Sequence, residues 1–452
     1  MKRFNVFILL LAAVILLCAC QKETTKDPDD SSSKPSDTVA SDTASDSVSD
    51  EQPTESEVSL IENGKSEYKI IRADDINSSE SWLLSNFYKE LCKKYDCDID
   101  YETDLIAHGK KPDPNAKEIL IGHTNRDESK ALKEKLEAAG GNRFAISFNG
   151  TKVALIGTST YQTYLGLDYL FSNYTVSQNA ESSALIMKSG LEYISESSEK
   201  DSFTIDELIK SGKGVAFAAS EKVLKVSAKN GHTGLQGGCT DGKYAYIALI
   251  NSSSEPNTGM IFKYDLETLE LVKESGVLPT GHSNDITYDS KNHRLIVATL
   301  LDGWTQLAVI NPDTLEFVEN IKASTRIRGF EYLPEIDGYA VAQPGPNVAI
   351  TDANFNVISE SIPFEDKLGT TQGFYSDGTY TYDPRYFKTE NYKGYHTVVI
   401  GDANGNHIQT AKVYGLDYIE PEHMYICNGK YYIGCNMNNS LYTVEIMPKI
   451  WW

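Results

Sequence analysis

Leu235-Gln236-Gly237-Gly238, Gly281-His282-Ser283-Asn284-Asp285, Ile327-Arg328-Gly329-Phe330, Thr371-Gln372-Gly373-Phe374 and Ile419-Glu420-Pro421-Glu422-His423 are five returns of one short phrase. With Gly237, Asp285, Gly329, Gly373 and Pro421 as equivalent points, the spacings are about 48, 44, 44 and 48 residues, the length of a four-stranded propeller blade. Each return leads into a strand, a polar turn such as Asp241-Gly242-Lys243 or Asn428-Gly429-Lys430, and a second strand such as Tyr244-Ala245-Tyr246-Ile247-Ala248 or Tyr431-Tyr432-Ile433-Gly434. The spacing predicts an all-β five-bladed propeller over 221–452. The fifth blade runs out of chain after Leu441-Tyr442-Thr443-Val444-Glu445-Ile446, so Lys222-Val223-Leu224-Lys225-Val226-Ser227, ahead of the first repeat, is expected to supply its outer strand and remove an open edge.

Upstream, over 58–198, the hydrophobic period alternates between two and 3.6. Strands are predicted at Tyr68–Ile71, Glu118–Gly122, Phe144–Phe148, Val153–Ile156 and Ala184–Met187, with continuation of the last through Leu191–Ile194 left open. Helices are predicted over Ser79–Tyr95, capped by Ser78 or Ser79, over Glu128–Ala139, closed by Gly140-Gly141, and over Ser159–Tyr174. Asn149-Gly150 marks a hairpin. The fold class is therefore multidomain: an α/β sandwich, a short helical connector over 199–220, then the propeller. The phrases Lys117-Glu118-Ile119-Leu120-Ile121-Gly122-His123-Thr124-Asn125-Arg126 and Thr151-Lys152-Val153-Ala154-Leu155-Ile156-Gly157, with the order of elements, resemble the small α/β accessory domain of glycoside hydrolases, as in α-glucuronidases and β-hexosaminidases. That resemblance implies no chemistry in this domain; His123, Asn125 and Arg126 follow a strand and could line a site, but the favoured reading is that they cap the next helix and face water.

The chain opens with Lys2 and Arg3, an apolar run from Phe4 to Leu17, and Leu17-Cys18-Ala19-Cys20. A basic end before a short apolar core is a secretory signal. The last four residues resemble a bacterial lipobox, which implies cleavage after Ala19 and lipidation of Cys20 over a signal peptide of 1–19. Two acyl chains suffice for stable membrane anchoring. Residues 20–57 are polar and acidic, expected to be a disordered tether. These features predict a lipid-anchored protein on the extracellular face of a Gram-positive-like cell membrane. The formal net charge of -22 argues against nucleic acid as a partner, since phosphates need positive charge. After Cys18 leaves with the signal, Cys92/Cys97 and Cys427/Cys435 are conceivable pairs in an exported protein; they are equally readable as small buried hydrophobes. No metal-ligand spacing occurs, and neither a metal nor a cofactor is expected.

The repeated phrase stands at the start of each innermost strand. Its polar residues, Gln236, His282, Asn284, Asp285, Arg328, Gln372, Glu420, Glu422 and His423, should therefore converge on one mouth of the central channel. Convergent polar groups in a concave mouth suit a small-molecule, carbohydrate or cell-envelope ligand, with Phe330, Tyr332, Phe374, Tyr375, Tyr386 and Tyr425 available to stack on sugars. The competing reading is a structural girdle satisfying backbone groups of neighbouring blades. A hydrolase or cyclase could use Glu420, Glu422 and Asp285 as acid and base with His282, although Glu420 and Glu422 alternate on a strand and can face opposite ways. The blade phrases Gly-His-x-Asn-Asp, Gln-Gly and Glu-x-Glu resemble exported helveticin-like and glutaminyl-cyclase-like propellers; that likeness carries no catalytic residue. A protein-interaction platform on the blade tops is the third reading. Trp304 is either blade packing or a binding aromatic.

Overall fold

Five four-stranded antiparallel blades follow one another along the second half of the chain. Blade one comprises Gly234–Thr240, Tyr244–Asn251, Thr258–Asp265 and Leu271–Glu274; blade two comprises Asp285–Asp289, Arg294–Ala298, Gln306–Ile310 and Phe317–Lys322. Blade three runs through Gly329–Leu333, Gly338–Ala342, Val348–Asp352 and Val357–Glu360. In blade four the inner strand is split into Thr370–Thr371 and Tyr375–Ser376, before Tyr380–Tyr386, His396–Asp402 and His407–Tyr414. Blade five has Pro421–Cys427, Lys430–Cys435 and Ser440–Pro448, with Val215–Lys225 as its outer strand. The inner strands adjoin in a closed ring, one to two to three to four to five and back to one. This is a five-bladed propeller. The computed structural model describes residues 56–178, 182–198, 202–363, 369–386, 396–416 and 419–449. The export signal, Cys20, all but the last residues of the tether, and Trp451 and Trp452 lie outside the described residues.

Closure takes the expected form and goes further. Val215–Lys225 pairs antiparallel with Ser440–Pro448, from Val215 opposite Pro448 to Lys225 opposite Ser440. Its first half also pairs in parallel with the outer strand of blade four, Ala216 opposite Lys412. Blades four and five thus share one nine-stranded sheet, which leaves neither with a free outer edge there. The strand begins at Val215, within the stretch read from sequence as connector.

Blades one and four carry the same polar fastening at their first hairpin, and blade two a variant of it. The Tyr246 hydroxyl donates to Asp241 Oδ2 at 2.8 Å in blade one, and the Tyr382 hydroxyl donates to Asp377 Oδ2 at 2.8 Å in blade four. In blade two Arg294 Nε donates to Asp289 Oδ2 at 2.8 Å instead. At the hairpin between third and fourth strands, Asp352 and Asp402 each accept from the backbone of the second and fourth residues beyond them. These are Asx turns, in which a short carboxylate replaces the partner that a tight reversal denies the backbone.

Residues 57–198 build a six-stranded mixed sheet in the order Tyr101–Thr103, Lys69–Arg72, Glu118–Ile121, Lys152–Gly157, Phe144–Phe148, Leu191–Ile194. The first four strands are mutually parallel, and Phe144–Phe148 pairs antiparallel with its neighbour on either side. Successive side chains alternate between faces. Ile119, Ile121, Val153 and Leu155 pack with helices α1 (Ser78–Tyr95) and α3 (Thr160–Tyr174), whereas Leu120, Ala154 and Ile156 pack with α2 (Asp127–Ala139). The cap of α1 is Asn77, one residue before the expected serines, accepting from Glu80 N at 2.8 Å. Ser183–Lys188 does not continue into Leu191–Ile194. A reversal at Gly190, with φ of 83°, sends the former into a separate three-stranded sheet with Glu57–Ile61 and Thr175–Ser177.

Arg126 does not face water. It is buried with Glu118 and Lys152, its Nη2 donating to Glu118 Oε1 at 3.1 Å while Lys152 Nζ donates to Glu118 Oε2 at 3.0 Å. The apolar cluster around α1 and α3 also takes in Ala216, Ala218, Tyr414 and Met447 of the propeller. At that junction Trp82 stacks on Tyr414, ring centroids 3.7 Å apart. A further short helix, α4 (Ile205–Ser211), opens with a capping box between Thr204 and Glu207.

Candidate functional site

The inner strands approach one another so closely that the repeated glycines have a steric cause. A Cβ on Gly237 would stand 2.6 Å from Asp285 Cα, one on Gly329 would stand 2.7 Å from Asp285 Oδ2, and one on Gly373 would stand 2.6 Å from Glu422 O. No side chain fits at these positions.

Between those glycines the polar residues of the repeat knit the blades together. Asp285 of blade two accepts from Phe330 N of blade three at 2.9 Å and from Phe374 N of blade four at 3.0 Å, both on Oδ2, while Oδ1 accepts from Ile286 N at 3.0 Å. Asn284 Nδ2 donates to Arg328 O at 2.7 Å and to Gln372 O at 2.5 Å. Gln236 Nε2 donates to Glu422 Oε1 at 3.1 Å, and Asn436 Nδ2 donates to the same oxygen at 3.0 Å. His423 Nδ1 meets Gln236 O at 2.6 Å, and its ring lies against Gly238 and Gly434, where any Cβ would strike the imidazole.

Burial sets the electrostatics of this floor. It pushes the Asp285 carboxyl well up, against the pull of its three backbone donors. Glu422 is also raised, first by burial and then by the nearby Glu420, with Asn436 and Gln236 opposing. His423 is lowered to about 4 because a buried imidazole resists charging. Each shift follows from desolvation. Gln236, Asn284, Asp285, Glu422 and His423 are all buried.

The other four residues of the ring are half-buried and border the floor: His282, Arg328, Gln372 and Glu420. Gln372 Nε2 donates to Glu420 Oε1, which opposes the upward shift that burial gives Glu420. Burial and the neighbouring Arg328 charge lower His282. Arg328 Nε has no hydrogen-bond partner although the atom is buried. Its guanidinium carbon lies 5.5 Å from the Trp304 ring centroid, and that of Arg326 lies 4.6 Å from the same ring. Two cations thus lie within cation–π distance of one indole ring. The loop presenting Trp304 is strained: Leu300, Asp302 and Trp304 have φ of 57°, 47° and 72°. Such backbone costs about 1–3 kcal/mol per residue and concentrates at functional sites.

All nine sequence-selected residues therefore belong to one connected neighbourhood, in two tiers. The aromatic readings divide as well. Phe330, Tyr332, Phe374 and Tyr425 are buried among blade strands, because inner-strand alternation turns them between blades, while Tyr375 and Tyr386 are half-buried. Sequence reasoning missed Arg326 and Asn436, and it left Trp304 undecided. The signal was local: an Asp-Gly-Trp turn two dozen residues ahead of Arg328, with nothing in the repeat to say that the turn folds over it. Among the described residues no group of His, Cys, Asp and Glu is arranged to hold a metal ion.

No protein-family model matches the sequence, and no curated protein does. Among solved structures the chain is similar to hydrazine synthase of Kuenenia stuttgartiensis, at 13% identity and a TM-score of 0.29, over 50% of this chain and 65% of that one. It is similar to the Pan2 WD40 domain of Neurospora crassa, at 8% identity and a TM-score of 0.28, over 47% and 88% of the two chains. A member of the duf4221 family from Bacteroides vulgatus matches at 10% identity and a TM-score of 0.30, over 52% and 97%. At these scores the likenesses add nothing to what the strand pairing defines, and they assign no family.

Proposed function

We propose that this is a lipid-anchored extracellular binding protein whose propeller mouth takes an acidic carbohydrate or cell-envelope fragment. The observation that carries the reading is the Trp304 ring with the Arg326 and Arg328 guanidiniums 4.6 Å and 5.5 Å from its centroid. An aromatic plane beside guanidinium donors suits a sugar ring bearing a carboxylate: the ring stacks, and the carboxylate meets the guanidiniums of exposed Arg326 and half-buried Arg328. Gln372, Glu420 and His282 offer polar contacts to the remaining hydroxyls. Local positive charge on a protein of net charge -22 also favours an anionic ligand at this mouth over its surroundings.

The buried tier serves as the floor that holds the half-buried tier in place. Binding is favoured over turnover because Glu422 is enclosed and its Oε1 is engaged by Gln236 and Asn436. The α/β sheet over 57–198, which lies in sequence between Cys20 and the propeller, serves as spacer or co-receptor. An array of uronic-acid glycans, muropeptides and neutral oligosaccharides tests this reading. Selective capture of acidic members, lost with Trp304→Ala, supports it; equal capture of neutral and acidic members counts against it. Anchoring is tested separately, by metabolic labelling with an alkyne fatty acid and its loss in Cys20→Ser.

A further inference from the structure

We infer that Cys92 and Cys97 form an intramolecular disulfide that staples the C-terminus of helix α1. The helix ends in a Schellman-type reversal. Asp96 is left-handed, with φ of 46° and ψ of 49°, and the Cys97 N–H returns to Cys92 O at 3.1 Å. In this motif the residue after the left-handed one folds back onto the last helical turn, and the two side chains meet. Here both of those side chains are thiols. They are close enough for the Cys92 sulfur to act on the Cys97 thiol, which burial and that neighbour together push up to about 11. Bridges need Cα atoms about 4.4–6.8 Å apart, and the Cys97 N–H bonded to Cys92 O at 3.1 Å brings the two backbones directly together.

The surroundings fit a staple. Cys92 and Cys97 are both half-buried, so an oxidant reaches them, whereas Cys239, Cys427 and Cys435 are buried in the propeller. Tyr88, one turn before Cys92, packs with them against the cluster that contains Trp82 and Tyr414. Closing the last turn of α1 would hold in place the helix that carries Trp82 onto the propeller.

The oxidant is a small-molecule or protein disulfide. A thiolate of Cys92 attacks it, forming a mixed disulfide and releasing one thiol; Cys97 loses its proton and attacks the Cys92 sulfur, releasing the second. Two protein thiols are oxidised and one external disulfide is reduced to two thiols. An oxidising compartment is what the proposed export would supply, but the test does not depend on export.

Purified full-length chain is equilibrated with oxidised glutathione, alkylated without reduction and digested with trypsin, which cuts after Lys93 and Lys94 between the two cysteines. Expected are an intact mass about 2 Da lower and the Glu90–Lys93 peptide linked to the Tyr95–Lys110 peptide. Dithiothreitol should separate them, and Cys92→Ser and Cys97→Ser should each abolish the link. Recovery of both cysteines alkylated from the oxidised, folded protein overturns the inference. So does linkage of either to Cys239, Cys427, Cys435 or a second chain.

Discussion

Asp285→Ala should be the most damaging single change in the propeller. The carboxylate accepts from three buried N–H groups, of Ile286, Phe330 and Phe374, at 2.9–3.0 Å. Alanine leaves all three without a protein acceptor, at a position packed so closely in the wild type that a Cβ on Gly329 would stand 2.7 Å from Oδ2. A buried donor left unsatisfied costs about 1–3 kcal/mol, so the total is about 3–9 kcal/mol, against a typical domain stability of about 5–15 kcal/mol. Asp285→Asn separates the causes. Its one remaining oxygen can still serve Phe330 and Phe374, leaving only Ile286 opposed by an amide, a loss of about 1–3 kcal/mol. Urea unfolding followed by tryptophan fluorescence, with hydrogen exchange at the Phe330 and Phe374 amides, reads both effects. The expected order is wild type, then asparagine, then alanine, with the two amides deprotected in the alanine variant. Alanine within about 1 kcal/mol of wild type would refute the reasoning, because that is less than one lost donor.

Three further outcomes follow from the same packing. Gly434→Ala places a Cβ 2.1 Å from His423 Cε1; overpacking should remove about 1–3 kcal/mol or more, read as a lowered melting temperature. His423 titrates at about 4 when folded and near 6.5 when unfolded, so the unfolded state binds more protons between those values. Its contribution to stability is complete above about pH 6.5 and falls as pH drops towards 4, by about 3 kcal/mol in total. Glu422 works the other way, raised when folded, so the test is the difference between wild type and His423→Gln in acid titrations of stability: the variant should lose less. In the α/β sheet, Lys152→Met leaves Glu118 buried with Arg126 as its remaining cationic partner; breaking such a network costs about 3–5 kcal/mol, measurable by urea unfolding, while Lys130→Met at an exposed pair should change stability by about 1 kcal/mol at most.

The propeller was legible because its repeat is enforced by geometry. Gly237, Gly329 and Gly373 recur where inner strands leave no room for a Cβ, and that recurrence shows in the sequence without any knowledge of the fold. The outer strand of blade five was legible for a similar reason, a count of strands that did not close. What the sequence could not show was depth. Asp285 and Arg328 occupy neighbouring places in the repeat, yet one is buried under three backbone donors and the other is half-buried beside Trp304. Whether a polar side chain fastens blades or faces a ligand depends on partners 45 or 89 residues away. Arg126 shows the same limit: a cation after a strand reads as solvated until the Glu118 carboxylate, eight residues earlier, folds under it. Whether Leu191–Ile194 continues the strand before it stayed open in the sequence because a turn of Ser189 and Gly190 hardly interrupts the pattern.

The central claim, that the mouth recognises a carboxylate-bearing sugar through Arg328 and Trp304, is tested most directly by calorimetric titration of a muropeptide into the wild-type chain and Arg328→Gln. Loss of a charge-assisted hydrogen bond of about 1.5–3 kcal/mol predicts binding weakened roughly tenfold or more, with the amidated muropeptide already weak towards the wild type. Equal affinity of wild type and Arg328→Gln, or equal affinity for the acid and its amide, would contradict it.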